Sequence, residues 1–93
     1  MSGTTLNAGN LDPRRRRLLF RAWHRGMREM DLLMGAFADA YLSDMTEPEL
    51  DQFEQLITYP DADLFKWLKK EEEIPEEYDL PLLHTFLSFR ISS

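Results

Sequence analysis

Arg25-Gly26-Met27-Arg28-Glu29-Met30-Asp31-Leu32-Leu33-Met34-Gly35-Ala36-Phe37 holds a chain corner and the opening of a helix. Gly26 interrupts two amphipathic patterns, and glycine is the residue that tolerates the positive φ of a helix end. Beyond it, Met30, Leu33, Met34, Phe37 and Tyr41 recur with helical spacing, which predicts a core face on a helix running from Met27 or Arg28 to Leu42. Glu29 and Asp31 fall in its first turn, where carboxylates suit the positive end of the helix dipole. Gly35 is costly inside a helix, by about 1 kcal/mol relative to alanine. Close packing of another helix explains it, and a flat docking surface is the alternative.

Upstream, Asp12-Pro13 reads as an N-cap followed by proline at the first helical position, so a first helix runs from there to the glycine corner. Leu19, Ala22 and Trp23 fall on one side of it, and Arg14, Arg17, Arg21 and Arg25 form a basic stripe on the other. Downstream, Thr46-Glu47-Pro48-Glu49 is a capping-box signature, followed by Leu50, Phe53, Leu56 and Ile57 until Tyr59-Pro60 stops the run. Asp61 or Asp63 is expected to cap a short helix with Leu64, Phe65, Trp67 and Leu68, and with Lys69 and Lys70 in its last turn. The acidic stretch from Glu71 to Asp79 predicts a solvated loop. Asp79-Leu80-Pro81 then opens a fifth helical segment through Leu82, Leu83, Phe86 and Leu87, and Ser88 to Ser93 is expected to fray. No segment alternates as a strand does. The expectation is an all-α fold: a small antiparallel bundle of about five helices over residues 12–90, with a flexible tail at 1–11 and a short one at 91–93.

The 93 residues allow one domain, and two Trp, six Phe, three Tyr and five Met supply many large side chains for so small a core. Without cysteine there is no disulfide framework and no thiolate metal site. The net charge of −6 is unevenly divided. Through Met30, seven arginines stand against Asp12 and Glu29; from Asp31 onward, four cations stand against fifteen carboxylates. One end should be basic and the rest acidic. The Arg-rich, amphipathic Arg14–Arg28 segment has the look of a mitochondrial transit peptide, but its apolar positions read as core, so it is taken as mature structure. No apolar run is long enough to cross a bilayer.

Little here supports catalysis. There is no Gly-rich phosphate loop or dinucleotide fingerprint, and His24 and His84 lack metal-ligand spacing, so neither a catalytic residue nor a metal ligand is assigned. The arginines at 14–17 could meet phosphate, but without a reading motif a solvated or protein-docking face is preferred to nucleic-acid binding. At the corner, Arg25 and Glu29 are spaced for an exposed ion pair worth a few tenths of a kcal/mol.

Trp23-His24-Arg25-Gly26-Met27-Arg28-Glu29-Met30-Asp31, followed by Pro60-Asp61-Ala62-Asp63-Leu64-Phe65-Lys66-Trp67-Leu68, resembles the SdhE family of succinate dehydrogenase assembly factors, also called flavinators. The resemblance spans Arg14 to Leu87 and includes the RGxxE motif. It implies a five-helix bundle that promotes covalent FAD attachment to the flavoprotein subunit of succinate dehydrogenase, with fumarate reductase a further client in some bacteria. By the same resemblance, Arg25, Gly26 and Glu29, with Arg28 and Asp31 adjacent, form the partner-binding surface. FAD is then carried by the partner, with no cofactor held tightly by this chain. The expected protein is a monomer that is not itself an enzyme and engages neither membrane nor nucleic acid. The N-terminal extension, the Arg14–Arg17 run and the dense acidic stretch Glu71–Glu77 depart from the family pattern. Two other functions stay open: a nucleic-acid-binding module using the first helix, and an acidic adaptor unrelated to flavin. The absence of a separate presequence leads to an expectation of the bacterial cytoplasm rather than the mitochondrial matrix.

Overall fold

Five α-helices follow from the caps and stops in the chain: α1 (Pro13–Trp23), α2 (Arg28–Tyr41), α3 (Glu47–Leu56), α4 (Asp61–Leu68) and α5 (Pro81–Ser88). This computed structural model describes residues 10–91; of the expected tails, 1–9 and 92–93 lie outside the described residues. Short 3-10 turns at Leu42–Asp44 and Glu76–Tyr78 complete the secondary structure, and no strand occurs among the described residues.

The caps form where the residue types predict them. Asp12 accepts a hydrogen bond from the Arg15 amide at 3.3 Å, and Thr46 and Glu49 close the capping box from both sides. Such a cap stabilises by about 1 kcal/mol. The start of α4 differs from expectation. It begins at Asp61 with Pro60 in the cap position, and no side chain caps it, because the Asp61 carboxylate faces elsewhere.

α1 and α2 pack as an antiparallel pair: Arg15 reaches the Leu42 carbonyl at one end, and the Trp23 ring lies on Gly35 toward the other. The core gathers Met30, Met34 and Phe37 of α2 with Leu50, Phe53 and Leu56 of α3, Leu64 of α4, and Leu83 and Phe86 of α5. Phe37 sits at its centre, with ring centroids 6.0 Å from Phe53 and 5.4 Å from Phe86. The expected face of α2 needs one adjustment. Tyr41 is exposed, its ring tilted against Phe37 with centroids 4.9 Å apart, whereas Gly35 and Ala38 are buried. Two neighbours, α1 and the core, share α2, so its buried arc is wider and rotated relative to a single stripe.

Gly35 is explained by this packing. A Cβ there would overlap the Trp23 indole, a rigid ring without a flexible end to move aside. Gly35→Ala should gain about 1 kcal/mol in helix propensity but lose roughly 2–3 kcal/mol to overpacking. A lower thermal midpoint by circular dichroism is the expected result; an unchanged or higher one would show that the ring can shift.

α4 also ends differently from the expectation. Lys69 is the C-cap and Lys70 lies beyond the helix at φ 60°, a left-handed residue. The Lys70 amide donates to the Trp67 carbonyl at 3.1 Å and the Glu71 amide to the Lys66 carbonyl at 2.9 Å. That is a Schellman ending with lysine where glycine is usual. Lys70→Gly should therefore stabilise the fold by about 0.5–1 kcal/mol, read as a rise in the urea midpoint; no rise would refute it. In the expected solvated loop, Tyr78 turns back to the core, its ring centroid 5.0 Å from Tyr59 and 5.9 Å from Trp67. Burial pushes the Tyr59 phenol up from its ordinary pKa, and its hydroxyl donates to the Tyr78 carbonyl at 3.1 Å.

Candidate functional site

The α1–α2 corner is built from its backbone outward. His24 leaves the helix at φ −130°, Gly26 turns the chain at φ +105°, and Met27 enters α2 extended. Met27 has no side chain able to cap a helix. Asp31, inside α2, binds the turn ahead of the helix instead: its Oδ1 accepts the Arg25 amide and, at 3.2 Å, the Gly26 amide, while the first-turn amides of α2 keep no side-chain cap. Asp31 therefore holds both residues of the turn from below.

Arg25 points inward, and its side chain is only 7% exposed. Its Nε and Nη2 donate to Asp61 Oδ1 at 3.0 and 2.8 Å, Nη2 also reaches the Tyr59 carbonyl at 2.5 Å, and Nη1 donates to the Ile57 carbonyl. The expected exposed pair with Glu29 is thus replaced by a pair with Asp61, whose side chain is 17% exposed. A guanidinium carries five donors in a fixed fork, and this pocket offers a carboxylate and two carbonyls away from water. An i,i+4 pair in solvent offers one screened contact. The same pairing explains why Asp61 does not cap α4.

Of the five residues assigned to the corner, three face solvent: Gly26, Arg28 and Glu29. Arg25 and Asp31 are the frame beneath them. Among the described residues, a Cβ added to Gly26 would meet nothing within 4 Å, so they leave the space above the glycine open. Exposed Met27 lies between the charges. The corner can present a low, rigid surface with a cation, an anion and an apolar side chain. Among the described residues no group of three or more His, Asp and Glu is placed to hold a metal ion. His24 faces the Phe20 carbonyl and His84 pairs with Asp79, while a broad depression over Trp67, Ile74, His84 and Leu87 shares no residue with the corner.

The basic stripe divides. Arg14 turns onto α3, meeting Glu47 at 2.9 Å, Asp51 at 2.6 Å and Glu54 at 2.9 Å. Its hydrogen bond holds the Glu54 carboxyl below the usual carboxylate range. Arg15 donates to the Leu42 carbonyl at 3.1 Å and the Met45 carbonyl at 2.6 Å and pairs with Asp12, whose carboxyl it also depresses. The Arg14–Arg17 run is therefore half clasp: two of its arginines fasten α1 to the rest of the bundle. No pattern along α1 separates them from Arg16 and Arg17, because the acceptors lie about 27 to 40 residues away.

One ion pair, Arg25 to Asp61, joins the two stretches that carried the family resemblance. A family model described as the flavinator of succinate dehydrogenase matches residues 16–90, which include both. The chain belongs to this flavinator family. Among its relatives, an FAD assembly factor SdhE of Acetobacter pasteurianus is 46% identical over 74 residues, covering 80% of this chain and 68% of that protein. A mitochondrial succinate dehydrogenase assembly factor 2 of Dictyostelium discoideum is 41% identical over 69 residues, covering 74% of this chain and 49% of that protein. One of the same name from Danio rerio is 40% identical over 70 residues, covering 73% of this chain and 44% of that protein. The match thus spans about half the length of these mitochondrial relatives.

The relatives overturn the expectation of a bacterial cytoplasm. Proteins named as mitochondrial match this chain about as well as the bacterial factor does. The family model matches residues 16–90, and a bundle shared by bacterial and mitochondrial proteins does not distinguish the two compartments. As for the membrane, no helix among the described residues is long and apolar enough to cross one.

Proposed function

We propose that this chain is an assembly factor that docks its glycine corner on the flavoprotein subunit of succinate dehydrogenase and promotes covalent attachment of FAD there. Family membership supports the reading, and the observation that carries it is the open space above Gly26, flanked by exposed Arg28 and Glu29. Arg25 and Asp31 serve the same site by holding the turn rigid. The bond forms within the partner, between its flavin and its target histidine. The bundle's part is to hold a partner conformer in which the two are aligned, and positioning alone can lower a barrier by several kcal/mol. No nucleophile or cofactor site is required of this chain, and FAD stays with the partner. It acts as a monomer, and fumarate reductase is a second client where its flavoprotein has the same docking surface.

Co-expression with a succinate dehydrogenase flavoprotein tests this. In a host lacking its own factor, covalent flavin fluorescence of the denatured subunit should rise severalfold when the chain is present. Equal fluorescence with and without it would reject the proposal.

A further inference from the structure

The outward face of α1 has a composition that the fold does not use. Arg16, Arg17, Phe20, Arg21 and His24 are all exposed, and the i,i+4 rows 16–20–24 and 17–21 lie side by side as one strip leading to the glycine corner. Phe20 is 64% exposed, and its ring is stacked on His24 with centroids 4.0 Å apart and planes 20° apart. His24 Nδ1 lies 2.6 Å from the Phe20 carbonyl oxygen, which fixes the pair. Arg16, Arg17 and Arg21 surround Phe20 in a shallow, mostly apolar depression. Among the described residues none of these three guanidiniums makes a hydrogen bond or ion pair, whereas those of Arg14, Arg15 and Arg25 all do.

A solvated face of a helix is usually covered by mixed charges. Here there is no carboxylate within α1 at all, in a chain of net charge −6. A stacked aromatic among three arginines, of which only Arg17 lies near enough to a carboxylate, Glu54, to act on it, has the composition of the centre of a protein interface. We infer that this strip is the second half of the docking surface, continuous with the glycine corner, and that it receives an acidic patch with an apolar socket on the same flavoprotein partner. The inference rests on the docking reading above. Phe20 fills the socket and the arginines pair with carboxylates around it. The division of charge along the chain turns the basic end toward such a patch on approach, so the arginines act mainly on association and Phe20 on dissociation.

Binding kinetics of the full chain with purified succinate dehydrogenase flavoprotein subunit, from low to physiological ionic strength, provide the test. Phe20→Ala, the double variant Arg17→Ala/Arg21→Ala and Gly26→Arg are compared with the natural chain, with circular dichroism as the folding control; alanine is the best helix former, and these α1 positions are exposed. Phe20→Ala should dissociate about tenfold faster. The double variant should associate more slowly and lose most of the salt dependence. If Gly26→Arg abolishes binding while both α1 variants behave as the natural chain, the inference about α1 is overturned and the docking corner stands. If the natural chain does not bind, both fall. Arginine-dependent binding of mixed-sequence RNA or DNA, or of a second copy of the chain, with flavoprotein binding untouched by the α1 variants, also overturns it.

Discussion

Gly26→Arg is expected to abolish flavinylation of a co-expressed flavoprotein while the bundle remains folded. Two consequences of the substitution can be separated. The backbone at φ +105° is unfavourable for any residue with a Cβ, at a cost of roughly 1–3 kcal/mol. For a domain of this size each kcal/mol lowers the thermal midpoint by about 4–8 °C, which leaves a folded protein at assay temperature. The second consequence is steric. Nothing among the described residues stands within 4 Å of the new Cβ, so the arginine projects into the space the partner is proposed to occupy. Gly26→Ala carries the same backbone strain with little of the bulk and should retain most of the activity. Covalent flavin fluorescence and far-UV circular dichroism together decide the matter. Full flavinylation by Gly26→Arg would sink the docking model, and an unfolded variant would reduce the glycine to a conformational role.

Arg25→Ala should instead damage the fold. The substitution leaves the Asp61 carboxylate and the Ile57 and Tyr59 carbonyls without their shared donor in a place largely shielded from water. Breaking a buried pair from one side costs about 3–5 kcal/mol, a large part of the roughly 5–10 kcal/mol available to a chain of this length. A much lower urea midpoint with an unchanged slope is the expected observation. Arg25→Lys should recover only part of the loss, since an ammonium cannot reproduce the fork. If Asp61 is removed as well, the combined loss should be smaller than the sum of the two single losses, because both act on one interaction. A midpoint for Arg25→Ala equal to that of the natural chain would overturn this account. The distinction matters for function: lost flavinylation in an Arg25 variant would report a loosened corner, whereas in a Gly26 variant it would report an obstructed surface.

Much of this architecture is legible one turn at a time. Asp12-Pro13, the Thr46–Glu49 box and Gly26 act on backbone groups within a few residues, so their effect is written locally and the helices begin and end within a residue or two of where the pattern puts them. The errors have two origins. Tyr41 fits the apolar period of α2 but sits at the edge of a buried arc set by two neighbours, and Lys70 lies past the helix whose last turn it was expected to occupy. Asp61 looked like a cap and became a counter-ion. For Tyr41 and Asp61 a long-range contact outweighed a local preference worth a kcal/mol or less, whereas Lys70 is displaced by the local Schellman bonds that close α4.

The amino-acid sequence by itself determined the all-α class, the order of five helices, the position of the glycine corner and the division into a basic end and an acidic remainder, because these depend on neighbours along the chain. Only the tertiary structure decided which arginines serve the fold and which serve the surface. Arg14, Arg15 and Arg25 find acceptors brought to them by α2, α3 and the α3–α4 turn, while among the described residues Arg16, Arg17 and Arg21 make no hydrogen bond or ion pair. The six have the same chemistry and nearly the same local surroundings. What separates them is whether folding delivers a carboxylate or carbonyl within about 3 Å, and electrostatic pairing at that range depends on position in space rather than along the chain.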